Sequence, residues 1–170
     1  MPTIGVAIPV PEPWGSELRE HRAEFGDTQA ALIPSHVTLL PPMEVSERAL
    51  ETINAKLRVD ACAIEPFVMR LRGTGTFRPV SPVVFIAVSE GISSTEQLAK
   101  HIRDGLLDEG ELDFPYHPHV TVAHHVSDAA LDRAYEELAD FSCEFEVRAF
   151  AVYRHDDEVG WVPYQEFELG

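Results

Sequence analysis

Residues 114–126 read FPYHPHVTVAHHV and place His117, His119, His124 and His125 within thirteen positions. Imidazole titrates near neutral pH and also ligates metals. The stretch therefore fits an acid–base site, a metal cradle or a core strand with incidental histidines. A second copy separates these readings. His36-Val37-Thr38-Leu39 recurs 83 residues later as His119-Val120-Thr121-Val122. Of the four clustered histidines, only His119 has both a threonine two residues on and such a counterpart.

Side chains alternate between the faces of a strand. In each copy the imidazole and the hydroxyl share one face, while the valine and the following aliphatic residue share the other. Strands written this way bury the aliphatic side and present His and Thr together. If the two strands are neighbours, two imidazoles and two hydroxyls meet. With an ordinary pKa of about 6.5, one imidazole can be neutral and the other protonated around neutral pH. One is then a general base and the other a general acid, each typically worth ~10²–10⁴ in rate. Threonine hydroxyls can donate hydrogen bonds to non-bridging phosphate oxygens. Such a set suits cleavage of a phosphodiester without a metal.

The elements that must position these residues alternate along the chain. TIGVAIP (3–9) places Ile4, Val6 and Ile8 on one face, as a half-buried strand does. A helix is predicted from Ser16 to Phe25, and SHVTLLPP (35–42) reads as a strand stopped by prolines. Ser46 caps a predicted helix whose apolar face is Leu50, Ile53 and Leu57. FVMRLRGTG (67–75) is strand-like and ends at glycines. The same order then recurs. SPVVFIAVS (81–89) is an apolar strand, and residues 93–107 form a predicted helix with Ser93 and Glu96 as a capping box and Leu98, Ile102 and Leu106 facing inward. HVTVA (119–123) is a strand, and Ser127 caps a helix with Leu131, Tyr135 and Leu138 inward. FEVRAFAVYR (145–154) and GWVPYQEFEL (160–169) are two further predicted strands.

Short matches fall in one order along this repeat. VSERAL (45–50) answers VSDAAL (126–131), Cys62 answers Cys143, and FVMR (67–70) answers FEVR (145–148), at separations of 81, 81 and 78 residues. Together with the paired His-x-Thr they read as one duplication rather than a solenoid.

Composition limits the function classes. The 170 residues fit one soluble unit, with 45% hydrophobic and 25% charged residues. Apolar runs fall well short of a bilayer span. The opening MPTIGVAIPVPEPWG lacks the basic region of a secretory signal and is broken by prolines. Two cysteines are too few for a disulfide scaffold and fit free thiols in a reducing cytoplasm. Against 13 basic residues stand 29 acidic ones, a net charge of −16. That is the reverse of the footprint of a protein that grips long nucleic acid. A phosphate ligand would need a locally positive site, and a short substrate is favoured over a long polyanion.

The paired motifs and their setting resemble the 2H phosphoesterase superfamily, named for two His-x-Thr/Ser-x motifs in duplicated lobes. Within it the chain is most similar to the bacterial 2′-5′ RNA ligase and RNA 2′,3′-cyclic phosphodiesterase group. Strand order, motif spacing and the C-terminal FEVRAFAVYR…GWVPYQEFEL carry the resemblance over nearly the whole chain. It implies an α+β fold, 1–170, built as two pseudo-symmetric lobes of roughly 1–80 and 81–170 with possible exchange of strands. Each lobe is expected to be an antiparallel sheet with helices on its outer face, the active cleft lying between the lobes. By motif, His36 and His119 are the expected catalytic pair, and Thr38 and Thr121 bind the substrate. The implied reaction opens a 2′,3′-cyclic phosphate to a 2′-phosphomonoester, His119 taking a proton from water and His36 giving one to the departing 3′ oxygen. Run backwards, it would join RNA ends through a 2′-5′ bond. No cofactor is expected, and a cytoplasmic monomer is the default.

One position departs from the family. Many relatives carry an arginine where this chain has His124. Arg70, Arg72, Arg78 and Arg154 are candidates to supply that charge, Arg78 and Arg154 being carried forward with Tyr153 as substrate-binding candidates. Tyr153 or Phe77 could stack on a base or simply fill core. Two rival functions stay open: a metal-dependent hydrolase using the His117–His125 cluster, and an altered member that binds nucleotides or RNA ends without turning them over. The expected partner is a small cyclic phosphodiester, a nucleotide or an RNA end.

Overall fold

The computed structural model describes residues 1–107 and 115–170. Along the chain run β1 (Thr3–Pro9), α1 (Trp14–Glu24), a 3₁₀ turn (Thr28–Ala31), β2 (His36–Glu44), α2 (Glu47–Cys62) and β3 (Phe67–Thr76). Then come β4 (Val83–Glu90), α3 (Ile92–Arg103), β5 (His119–His124), α4 (Asp128–Glu137), β6 (Ser142–Val147), β7 (Ala149–Asp156) and β8 (Gly160–Glu168). The strands form two antiparallel four-stranded sheets, ordered β2-β1-β7-β8 and β5-β4-β3-β6. This is the α+β architecture expected from the sequence. The sheets interleave the two halves of the chain: β3 joins β4 and β6, whereas β7 and β8 return to β1. Each His-x-Thr stands on the edge strand of its own sheet, β2 in one and β5 in the other. No helix among the described residues is long and apolar enough to cross a membrane.

Alternation along the motif strands sorts their side chains as the sequence requires. Val37, Leu39, Val120 and Val122 are completely buried, in a core shared with Leu57, Leu98, Ile102 and Leu131 from the helices. Each such aliphatic contributes about 1.5–3 kcal/mol on leaving water, so a one-residue slip of either motif strand would cost several such terms and expose the wrong face. The histidines and threonines of the motifs, on the opposite face, remain partly accessible.

Two helices begin where their serines predict. The Ser46 hydroxyl accepts the Ala49 N–H at 3.0 Å, and the Ser127 hydroxyl accepts that of Ala130 at 3.1 Å. α3 does not use the expected Ser93–Glu96 box. It starts earlier, after Gly91, whose φ of 89° suits glycine, and the buried Thr95 hydroxyl donates to the Gly91 carbonyl. A side chain at 91 would collide with the Val68 carbonyl of β3, so the close approach of β3 sets the register. In α4 Ala130, Leu131 and Ala134 face inward, as Leu138 does at its C-terminal end, while Tyr135 lies outside at 42% exposure. Phe145–Arg154, expected as one strand, is two. Arg148 separates β6 from β7, and the chain passes from one sheet to the other there. The apolar residues run on past Arg148 without a glycine or proline to mark the break, which is why the pattern alone did not reveal it. Cys62 ends a helix whereas Cys143 is buried in β6, so the matching cysteines do not hold equivalent places, and both are free thiols.

Candidate active site

β2 and β5 lie against one another across the two sheets, which brings the motif copies together. The imidazoles are near enough for the charge of one to depress the pKa of the other. Each is held by the same local device. His36 Nδ1 lies 2.7 Å from the Pro34 carbonyl and His119 Nδ1 lies 2.7 Å from the His117 carbonyl, each two residues back. A carbonyl oxygen only accepts, so Nδ1 carries the proton and Nε2 is left as the atom that exchanges one. Burial lowers the pKa of both rings; their carbonyl hydrogen bonds oppose it, and the charge of Arg22 adds to the lowering at His36. Both are thus biased towards the neutral form, not one each way. Among the described residues neither motif threonine hydroxyl is engaged in a hydrogen bond.

Each motif strand is braced by the other half of the chain. The Tyr116 hydroxyl, three residues ahead of His119, donates to the Thr38 carbonyl at 2.7 Å. Arg103 Nε donates to the next carbonyl, Leu39, at 2.8 Å, and its guanidinium sits 4.5 Å from the centroid of the Tyr116 ring. These two side chains occupy carbonyls along the edge strand β2. In return Asp27, ahead of β2, accepts the His124 N–H at 3.0 Å, at the end of β5. The Asp27 carboxylate also takes Arg22 Nε at 2.7 Å and the Gln29 N–H at 2.9 Å, and both ion-pair side chains are nearly inaccessible. Arg22 and Arg103 are therefore the cations built into this region. The sequence alone singled out neither, since each lies on a helix whose docking against the motif strands no local pattern reveals.

The other candidates separate. Tyr153 comes to the site: with Gly5, Ala7, His36, Thr38 and Trp161 it lines a concavity of about 140 Å³. Its hydroxyl pKa is pushed up to about 12, first by burial and then by nearby Glu166. Its neighbour Arg154 projects from the opposite strand face and pairs with Glu47 at 2.7 Å, at the start of α2. Arg78 pairs with Asp132 of α4 at 2.9 Å, and Arg70 lies between Glu90 and Glu144. Neither Arg78 nor Arg154 is brought beside His36. Phe77 packs on Phe85, with ring centroids 4.5 Å apart, and presents an edge-on contact to His119 at 5.0 Å. Trp161 was not anticipated; its backbone N–H donates to the Leu32 carbonyl at 2.8 Å, carrying the indole over Gly5. His124 and His125 stack on one another at 3.7 Å while His117 packs with Phe77 and Phe85, and among the described residues no three such donors converge on one point.

The chain is similar to known proteins in sequence and in fold. The family described as the 2′-5′ RNA ligase superfamily matches residues 9–158. A Bacillus cytotoxicus protein named "putative phosphoesterase" is 32% identical over 148 residues, covering 85% of this chain and 84% of its own. TT0787 of Thermus thermophilus superposes with a TM-score of 0.71 at 27% identity, covering 99% of this chain and 98% of that one. Escherichia coli LigT complexed with 3′-AMP superposes with a TM-score of 0.72 at 22% identity, covering 99% of each chain, a likeness of fold.

Proposed function

The chain belongs to the 2′-5′ RNA ligase superfamily, and from that premise we propose that it opens 2′,3′-cyclic phosphates of small nucleotides or RNA ends to 2′-phosphomonoesters, with His36 and His119 as its acid–base pair and no metal. The observation that carries the reading is the repeated tether. Two imidazoles, each fixed through Nδ1 to a carbonyl, leave two Nε2 atoms for proton transfer, with a threonine hydroxyl beside each.

In this mechanism the cyclic phosphate enters between the motif strands, where Thr38 and Thr121 donate to its non-bridging oxygens. Its negative charge raises the pKa of the adjacent imidazoles and draws a proton onto His36. His119 Nε2 accepts a proton from water as the water oxygen bonds to phosphorus. The bond from phosphorus to O3′ breaks, and His36 Nε2 gives its proton to that oxygen. The product is the 2′-phosphomonoester with a free 3′-hydroxyl, and the two imidazoles have exchanged protonation states. Donors aligned to charge that develops at phosphorus act most strongly in a partly dry site. The net charge of −16 favours a short ligand. The complex of E. coli LigT with 3′-AMP supports a nucleotide as that ligand.

The test is hydrolysis of nucleoside 2′,3′-cyclic phosphates in excess EDTA, with the product isomer identified. Turnover that survives chelation and yields only the 2′-phosphate is expected. Loss of activity on chelation would move the chemistry to a metal, and binding without turnover by folded protein would leave a nucleotide-binding role.

A further inference from the structure

The two motif copies differ in what stands behind them. Across the ladder from Thr38 stand Ala7 and then Ala151; across from Thr121 stand Phe85 and then Gly75. In the first row the side chains are small, and Ala7 lines an open pocket with the aromatic Tyr153 and Trp161 and with His36 and Thr38, while Ala151 packs against Ala7 and Tyr153. In the second row the Phe85 ring lies on Gly75, so close that a Cβ there would fall 2.6 Å from the ring. Phe77 then covers Phe85, and both rings sit within 5.2 Å of the His119 ring, centroid to centroid. Phe77 comes just after β3, its N–H donating to the Val83 carbonyl at the start of β4, while Tyr153 lies within β7 and pairs with Gly5 on β1. An aromatic residue thus walls an open pocket in one half and helps fill the same place in the other.

We propose that the Tyr153–Trp161 pocket is the subsite for one aromatic base of the substrate, and that Phe85 with Phe77 denies a second base the equivalent place beside His119. This rests on the reaction proposed above and fixes its substrate class as mononucleoside 2′,3′-cyclic phosphates rather than two nucleosides joined 2′-5′. Flat, mostly apolar walls stack on any base, so recognition is tolerant of base identity and favours the larger purines. Stacking of this kind is typically worth about 10- to 100-fold in affinity.

The test compares kcat/KM for adenosine 2′,3′-cyclic phosphate with that for 1-O-methylribose 2′,3′-cyclic phosphate, which has the reacting ring and no base. Wild type should favour the nucleotide by about 10- to 100-fold. The ratio should fall towards one in Trp161→Ala and in Ala7→Phe combined with Ala151→Gly, which transplants the closed row into the open half. The 2′-5′-linked diadenosine monophosphate should be cleaved at least about tenfold less well than the cyclic mononucleotide. A wild-type ratio near one, an unchanged ratio in both variants, or equal use of the dinucleotide would overturn the proposal. Should the protein turn over neither cyclic phosphate, the proposed reaction fails, and calorimetry with adenosine 2′-monophosphate decides the subsite. Binding weakened tenfold or more in Trp161→Ala supports it, and equal binding overturns it.

Discussion

Across from Thr38 stand Ala7 and then Ala151, and Ala7 lines an open pocket shared with His36; across from Thr121 the same two places hold Phe85 and Gly75, and the Phe85 ring fills the space above Gly75. Yet the tethers of the two rings have the same length, the threonines stand at the same register, and the aliphatic partners are equally buried. The difference teaches that a repeated unit can keep one feature twice and vary what lies beside it. The backbone device that orients the two imidazoles is the same twice, as the proposed acid–base pair requires. A nucleotide has its base on one side of the phosphate only, and the divergent floors suit the one-base substrate proposed above. The braces are reciprocal as well: Tyr116 and Arg103 hold β2 from the second half, and Asp27 holds β5 from the first.

The largest effect expected is loss of either imidazole. His36→Ala and His119→Ala should each lower kcat by about 10²–10⁴ while leaving the fold intact by circular dichroism. The roles can be told apart with a p-nitrophenyl phosphodiester, whose leaving group departs without a proton. It should restore much of the rate to His36→Ala and little to His119→Ala, and equal rescue would break the assignment of acid and base.

Next in size is the buried brace. Asp27→Ala strands Arg22 without its partner and frees the His124 N–H, and should cost about 3–5 kcal/mol in a urea unfolding experiment. A loss under about 1 kcal/mol would mean the pair is not holding β5. Thr38→Val and Thr121→Val each remove one donor to a charged phosphate, worth about 1.5–3 kcal/mol. Equal losses in kcat/KM would show that both copies grip the same phosphate; a loss confined to Thr38 would place it wholly on the open side. Tyr116→Phe deletes a single neutral hydrogen bond and should cost about 1 kcal/mol of stability, with a modest fall in kcat and little change in KM.

The smallest effect is on the pH profile. The base must be neutral, so activity rises as pH climbs through its pKa. The acid must be protonated, so activity falls as pH climbs through the other. Burial depresses both values below the ordinary imidazole range. The maximum of kcat/KM, which reports the free enzyme, should accordingly lie on the acid side of about 6.5. A maximum above about pH 7 would show that the imidazoles are less buried in solution, or that other groups titrate.

Much of the scaffold, and the shared face of each His and Thr, was legible in the sequence. His-x-Thr on an alternating strand fixes which side chains share a face, because the period of a strand is two, and Val37, Leu39, Val120 and Val122 lie in the core as that rule demands. Ser46 and Ser127 start their helices because a serine oxygen suits the unpaired N–H groups there. Where local rules failed, a neighbour had decided: β3 pressing on Gly91 moved the start of α3, and a change of sheet at Arg148 divided one apolar run in two.

The sequence by itself determined the pairing of each imidazole with a hydroxyl, since the residue types and the two-residue spacing bring them together wherever the strand lies. Only the tertiary structure decided what surrounds that pair. Trp161 reaches Gly5, Tyr116 reaches Thr38 and Asp27 reaches His124 across 156, 78 and 97 residues of chain. No local periodicity encodes such meetings. They follow from the order of strands in two interleaved sheets, and that order depends on how the whole chain buries its apolar faces at once.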